Sequence, residues 1–161
     1  MDKSDKISGM ETIRQVIYIS QASRPMQQQD IEQLVVTASR NNRQLGITGA
    51  LLYIENSFVQ VLEGEDAPIT RLLATIESDP RHRNMRILSD RTVDFRNFEE
   101  WSMAYVKPDP QDASIIIGEL QSTSFPGGDE DPIVMPLPHT FAMMRHLYET
   151  DATLQRARSN T

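Results

Sequence analysis

From residue 13 the chain alternates between apolar positions on two sides. Ile13, Ile17 and Ile19 fall on one side of an extended segment and Val16 and Tyr18 on the other, so the pattern predicts a strand over 13–20 with both faces covered. Pro25 breaks it, and Ile31, Leu34, Val35 and Ala38 follow at helical spacing up to the stop signal of Gly46. Two strand-like runs, 49–55 and 58–63, are joined by the polar link Glu55, Asn56 and Ser57 and read as a hairpin. Ile69, Leu72, Leu73 and Ile76 form a second helical stripe, with Asp66 as its N-cap, Pro68 in its first turn and an end before Pro80. Runs 85–93 and 103–106 supply two more strands. The order β-α-β-β-α-β-β predicts an α+β, ferredoxin-like sheet with one added strand and two helices on one face.

Beyond Pro108 the pattern changes. Ala113, Ile116, Ile117 and Leu120 mark a short helix over 112–121, and Phe141, Met144, Leu147 and Tyr148 mark a longer one over 139–158. Between them, 122–138 is rich in Pro, Gly and acid and reads as a loop. Two apolar helices with little else to cover suit the bare face of the sheet, the one carrying Ile17 and Ile19. The expected organisation is a loose polar tail over 1–12, a domain over 13–107 and a helical extension over 108–161 that caps it.

Composition narrows the function. The 161 residues include no cysteine, which removes disulfide scaffolds, thiol nucleophiles and Cys-ligated zinc. Sixteen Lys and Arg against 23 Asp and Glu give a net charge of -7, which disfavours a nucleic-acid surface or an anionic membrane as partner. The polar N-terminal stretch has no signal-peptide core, and no run approaches the ~18 apolar residues of a membrane span, so a soluble, cytoplasmic protein is expected. His139 and His146, seven apart on one helix, lie ~10 Å from each other along its axis and cannot share one ion, so no metal site is expected.

Several polar or aromatic residues interrupt this pattern. Asn42, four residues after Ala38, continues the apolar stripe of the first helix; it is either a C-terminal cap or a buried carboxamide that holds something polar. Gln60 shares a strand face with Phe58 and Leu62, and Tyr18 lies on the strand expected beside it, so the pair is either an ordinary satisfied core contact or a functional one. Trp101 and Met103, two apart in a segment expected to be extended, should point to the same side. Arg81 and His82, after the Asp79-Pro80 break, are either solvated loop residues or a clasp on a phosphate or ribityl group.

Taken together these residues resemble the BLUF domain, a family of blue-light sensors that use FAD. The likeness runs over 13–107 and is carried by Tyr18 in Ile17-Tyr18-Ile19-Ser20, Asn41-Asn42 followed by Gly46-Ile47-Thr48-Gly49, the run Phe58 to Gly64, Asp79-Pro80-Arg81-His82 and Trp101-Ser102-Met103. The resemblance implies a photoreceptor, not an enzyme, of the short single-domain type. It implies that Asn41, Asn42, Gln60, Asp79, Arg81 and His82 hold FAD non-covalently between the first two helices. Tyr18 and Gln60 would be the photoactive pair: electron and proton transfer from Tyr18 through Gln60 rearranges the hydrogen bonds to the flavin, and Trp101 and Met103 report the state. Thr75 departs from the pattern, standing where the family often has a basic side chain. With no output domain evident, the resemblance implies a separate signalling partner and self-association, with the C-terminal helices and the 95–101 loop as exits for the signal. A colourless ligand-binding or dimerisation module, or an acylphosphatase-like hydrolase, are the alternatives on the same fold.

Overall fold

The computed structural model describes residues 12–122 and 137–159. Most of the expected tail, 1–11, and the core of the expected loop, 123–136, lie outside the described residues. In chain order the elements are β1 (Ile13–Ala22), α1 (Gln28–Leu45), β2 (Thr48–Ile54), β3 (Ser57–Gly64), α2 (Asp66–Ser78), β4 (His82–Val93), β5 (Ala104–Tyr105), α3 (Pro110–Ser122) and α4 (Pro138–Ser159). The five strands form one sheet in the order β4-β1-β3-β2-β5, antiparallel except that β5 runs parallel to β2. That is the ferredoxin-like order with a short added edge, as the alternating helix and strand periods predict.

The sheet separates two apolar layers. On one side Val16, Tyr18, Leu51, Phe58 and Leu62 meet Leu34 of α1 and Ile69 and Leu73 of α2. On the other, Ile17, Val59, Val61 and Leu52 meet Ile116 of α3 and Met144 and Tyr148 of α4. The C-terminal helices therefore cover the face that carries Ile17 and Ile19.

Local chemistry fixes the joints. Glu55 and Asn56 both take positive φ, 46° and 67°, which gives the two-residue β2–β3 turn the twist that antiparallel strands require. Gly46 ends α1 in the left-handed region at φ 67°, its N–H bonding the carbonyls of Arg43 and Asn42. At Gly49 a Cβ would stand 2.0 Å from the carbonyl oxygen of Val61, so β2 and β3 can only pass this closely with glycine there.

Three expectations shift. Glu65, not Asp66, is the N-cap of α2; Asp66 opens the helix and pairs with Arg14 at 2.9 Å. β4 begins at His82 rather than Met85, because the turn after α2 brings that residue against Ala22 of β1. β5 is only two residues long, and the segment before it bends at Ser102 and Met103.

Among the described residues Glu63 is the one fully buried acidic side chain. It follows Val59 and Val61 on the α3/α4 side of β3, is fully buried, and accepts from Gln15 Nε2 at 2.9 Å, the Asn97 amide at 2.9 Å and the Phe98 amide at 2.7 Å. It thereby ties the β4–β5 loop to the sheet. Glu63→Leu leaves those donors unpaired, and we expect it to lower the unfolding free energy by about 3 kcal/mol in a urea titration.

Candidate functional site

Tyr18 sits in the middle of β1, wholly buried, directly opposite Gln60 of β3 in the antiparallel register. Both side chains point into the α1/α2 layer, where the Tyr18 hydroxyl donates to Gln60 Oε1. Gln60 Nε2 in turn donates to Met103 Sδ at 3.3 Å. Three elements distant in sequence are thus joined in one hydrogen-bonded chain. Burial pushes the Tyr18 phenol far above its ordinary pKa, and the carboxylate of Asp79 raises it further. The hydroxyl is therefore protonated, and a donor, at neutral pH.

Asn42 is not a helix cap. Its side chain is 1% exposed, and its Nδ2 donates to the carbonyl of Ser102 at 3.0 Å. Its Oδ1 is buried with no partner. An unpaired buried acceptor costs about 1–3 kcal/mol, which is recovered when a donor is supplied there. A flavin presents one, the ring N–H of its pyrimidine edge, so the residues fit the cofactor at this point.

Trp101 and Met103 do not share a side as an extended segment would require. The bends at Ser102 and Met103 turn the chain, so Met103 enters the α1/α2 layer beside Gln60 while Trp101 packs against the α3/α4 layer, its indole Nε1 buried without a partner. Two tertiary bonds set the bend: the Gly49 amide to the Trp101 carbonyl at 3.1 Å, and Asn42 to Ser102.

The remaining expected residues lie further out. A cleft of about 460 Å³ opens between the start of α1 and the turn after α2, lined in part by Arg24, Met26, Asp30, Leu34 and Arg81. Arg81 is half-exposed and its guanidinium is forked onto Asp79, with Nη2 to Oδ2 at 2.6 Å, which holds the Asp79 carboxyl below the usual range. His82 is held by Ser20 Oγ at 2.9 Å and packs on Phe58 at 4.7 Å between ring centres; its burial lowers its pKa. Asn41 is exposed, about 100° around α1 from Asn42. Thr75 is exposed and bonds the Arg71 carbonyl in its own helix. Pattern reasoning does not single out Arg24, Asp30 or the Ser102 carbonyl; the turn at 21–25 lacks glycines, and only the fold brings it to the mouth of the cleft. Among the described residues no group of three or more His, Asp or Glu could hold a metal ion, and no helix is long and apolar enough to cross a membrane.

Fold and site define a class, a ferredoxin-like α+β domain with a hydrogen-bonded polar chain buried beneath its first two helices. The chain belongs to the BLUF family, the "sensors of blue-light using FAD", whose model matches residues 13–104. It is 39% identical over 97 residues to the photoactivated adenylate cyclase subunit beta of Euglena longa, a match that covers 60% of this chain and 11% of that protein. The chain therefore spans roughly a tenth of the length of that cyclase subunit. Among solved structures it is similar to BlrB, a BLUF protein in its dark state, at 25% identity and a TM-score of 0.65, covering 88% of this chain and 98% of that one. It is likewise similar to BlsA in its photo-activated state, at 27% identity and a TM-score of 0.65, covering 84% and 94%.

Proposed function

We propose that this chain binds FAD non-covalently as a blue-light photoreceptor, that Tyr18 and Gln60 are the pair whose hydrogen bonds change on illumination, and that a separate protein partner reads the change. The observation that carries the reading is the run from Tyr18 through Gln60 to Met103, beside an Asn42 whose buried Oδ1 lacks a donor. Bound FAD supplies a blue-absorbing chromophore that becomes a one-electron oxidant when excited. Asn42, with Gln60, orients the ring edge; Arg81, Asp79, His82 and Asn41 are candidates for the outer parts of the cofactor, Arg81 from the wall of the cleft.

The chain's own groups set the course of the proton. A phenol this deeply buried does not give up its proton alone, so an electron leaves Tyr18 only if the proton moves with it to the acceptor it already holds, Gln60 Oε1. When electron and proton have both returned to Tyr18, the Gln60 amide is left rotated or tautomerised. In the rotated form its oxygen faces Met103 Sδ, which has no hydrogen to donate, so the tie to Met103 is lost. The sulfur was a weak acceptor, and the cost of leaving it is small. Segment 101–103 thus loses one of its holds, and the α3/α4 side responds. Transmission to a separate partner, and self-association of the chain, belong to the same proposal.

The test is an absorption spectrum of purified protein reconstituted with FAD, in the dark and under blue light. Flavin bands with a reversible red shift are expected; protein that stays colourless and takes up no flavin overturns the reading. In the same assay Asn42→Ala is expected to weaken FAD binding about tenfold or more, the worth of one buried hydrogen bond.

A further inference from the structure

The hydroxyl of Tyr148 on α4 accepts two consecutive backbone amides of the loop before β5, Glu100 N–H at 2.6 Å and Trp101 N–H at 2.9 Å. Both lone pairs of that oxygen are thereby used. The next two residues of the same segment face the other layer: the Ser102 carbonyl takes Asn42 Nδ2 and Met103 Sδ takes Gln60 Nε2. Four residues in a row are therefore held at one end by α4 and at the other by the two buried amides of the candidate site. Packing stiffens the α4 end. Phe98 is fully buried and meets the rings of Tyr148 and Phe141 edge-on, at 5.0 and 5.7 Å between centres. Burial keeps the Tyr148 phenol neutral, its pKa pushed up to about 12.

We propose that Tyr148 is a positioning residue of the switch: through the amides of Glu100 and Trp101 it sets where Ser102 and Met103 stand against Asn42 and Gln60, and it makes α4 the element that registers a change at Gln60. This rests on the role given to Gln60 above. Loss of the Met103 tie leaves that end of the segment held by Asn42 alone, so the segment can shift, and the shift reaches the two amides that Tyr148 accepts.

The test uses the full chain. In wild-type protein, amide exchange followed by NMR should show the Glu100 and Trp101 amides protected in the dark and less protected under blue light; protection unchanged by light in a protein that does red-shift overturns the proposal. Tyr148→Phe keeps the ring on Phe98 and removes the acceptor. It should still bind FAD and form the red-shifted state, but return to the dark state about three- to tenfold more slowly, the factor of one net hydrogen bond. Return at the wild-type rate overturns the proposal. Phe141→Leu loosens the same aromatic cluster without touching the hydroxyl, and should lower the unfolding midpoint while leaving the return rate unchanged.

A readout independent of photochemistry separates this proposal from the one it rests on. Trp101 is the only tryptophan, so its emission in flavin-free protein reports the segment directly. Tyr148→Phe should shift that emission and Phe141→Leu should not; identical spectra for Tyr148→Phe and wild type overturn the positioning role. If wild type shows no red shift but Tyr148→Phe moves Trp101, the photochemical reading fails and the positioning of the segment by Tyr148 stands.

Discussion

Tyr18→Phe is expected to bind FAD with the affinity of the wild type and to show no reversible red shift under blue light. The ring is wholly buried between β1 and the first two helices, and phenylalanine fills the same volume, so the fold and the cleft are kept. What disappears is the O–H that Gln60 Oε1 accepts. Without it no proton can accompany an electron from this position, and nothing drives the Gln60 amide to rearrange. The variant also leaves Gln60 Oε1 buried and unpaired, so its unfolding midpoint should fall by the equivalent of about 1–3 kcal/mol. Spectra recorded before and after illumination check the first effect, and a urea titration checks the second. A normal red shift in Tyr18→Phe removes Tyr18 from the mechanism.

Gln60→Leu is the second large effect. Leucine matches the apolar neighbours on this strand face and removes both ends of the hydrogen-bonded chain, the acceptor for Tyr18 and the donor to Met103. The buried Tyr18 hydroxyl then has no acceptor, a cost of about 1–3 kcal/mol that the added apolar burial partly offsets. Flavin should bind, because Asn42 and the cleft are untouched, and the red shift should be absent. The two variants differ in one readout. In Tyr18→Phe the amide still reaches Met103, so the emission of Trp101 in the dark should resemble wild type. In Gln60→Leu the tie to Met103 is gone from the start, and the emission should move without light.

Much of this is legible in the sequence because two periods carry it. The strand period of two puts Tyr18 and Gln60 in view as polar groups on apolar faces, and the helical period marks Asn42 as a carboxamide where a leucine belongs. The same two periods assign both apolar layers of the sheet. Local pattern fails where tertiary bonds override it. Alternation places Trp101 and Met103 on one side, but the Gly49 amide and the Asn42 side chain hold the segment in a bend, and no local signal announces either. Asp66 resembles an N-cap, yet Arg14, brought close by the sheet, engages it one residue inside the helix. Glu63 does leave a trace, a carboxylate following Val59 and Val61 on one face of a strand, but its partners sit in a loop whose path the pattern does not fix. Tyr148 reads as one more aromatic on an apolar stripe, and the two amides it receives are invisible until α4 is packed.

The open edge of the sheet has its own consequence for how copies of this chain meet. β4 is a twelve-residue edge strand, long enough to template pairing with a second copy, while β5 at the opposite edge is too short to do so. Arg83, Arg86 and Arg91 stand exposed along β4. Antiparallel pairing of two such edges about residue 86 sets Arg86 against itself, and pairing about residue 87 sets Arg83 against Arg91; like charges directly opposite destabilise a ladder. In these two registers the positive charge of an otherwise acidic chain works against sheet growth from this edge. A register about residue 88, which sets Arg86 against Asp90, carries no such penalty, so the charges of β4 restrict the register in which two copies could pair along this edge.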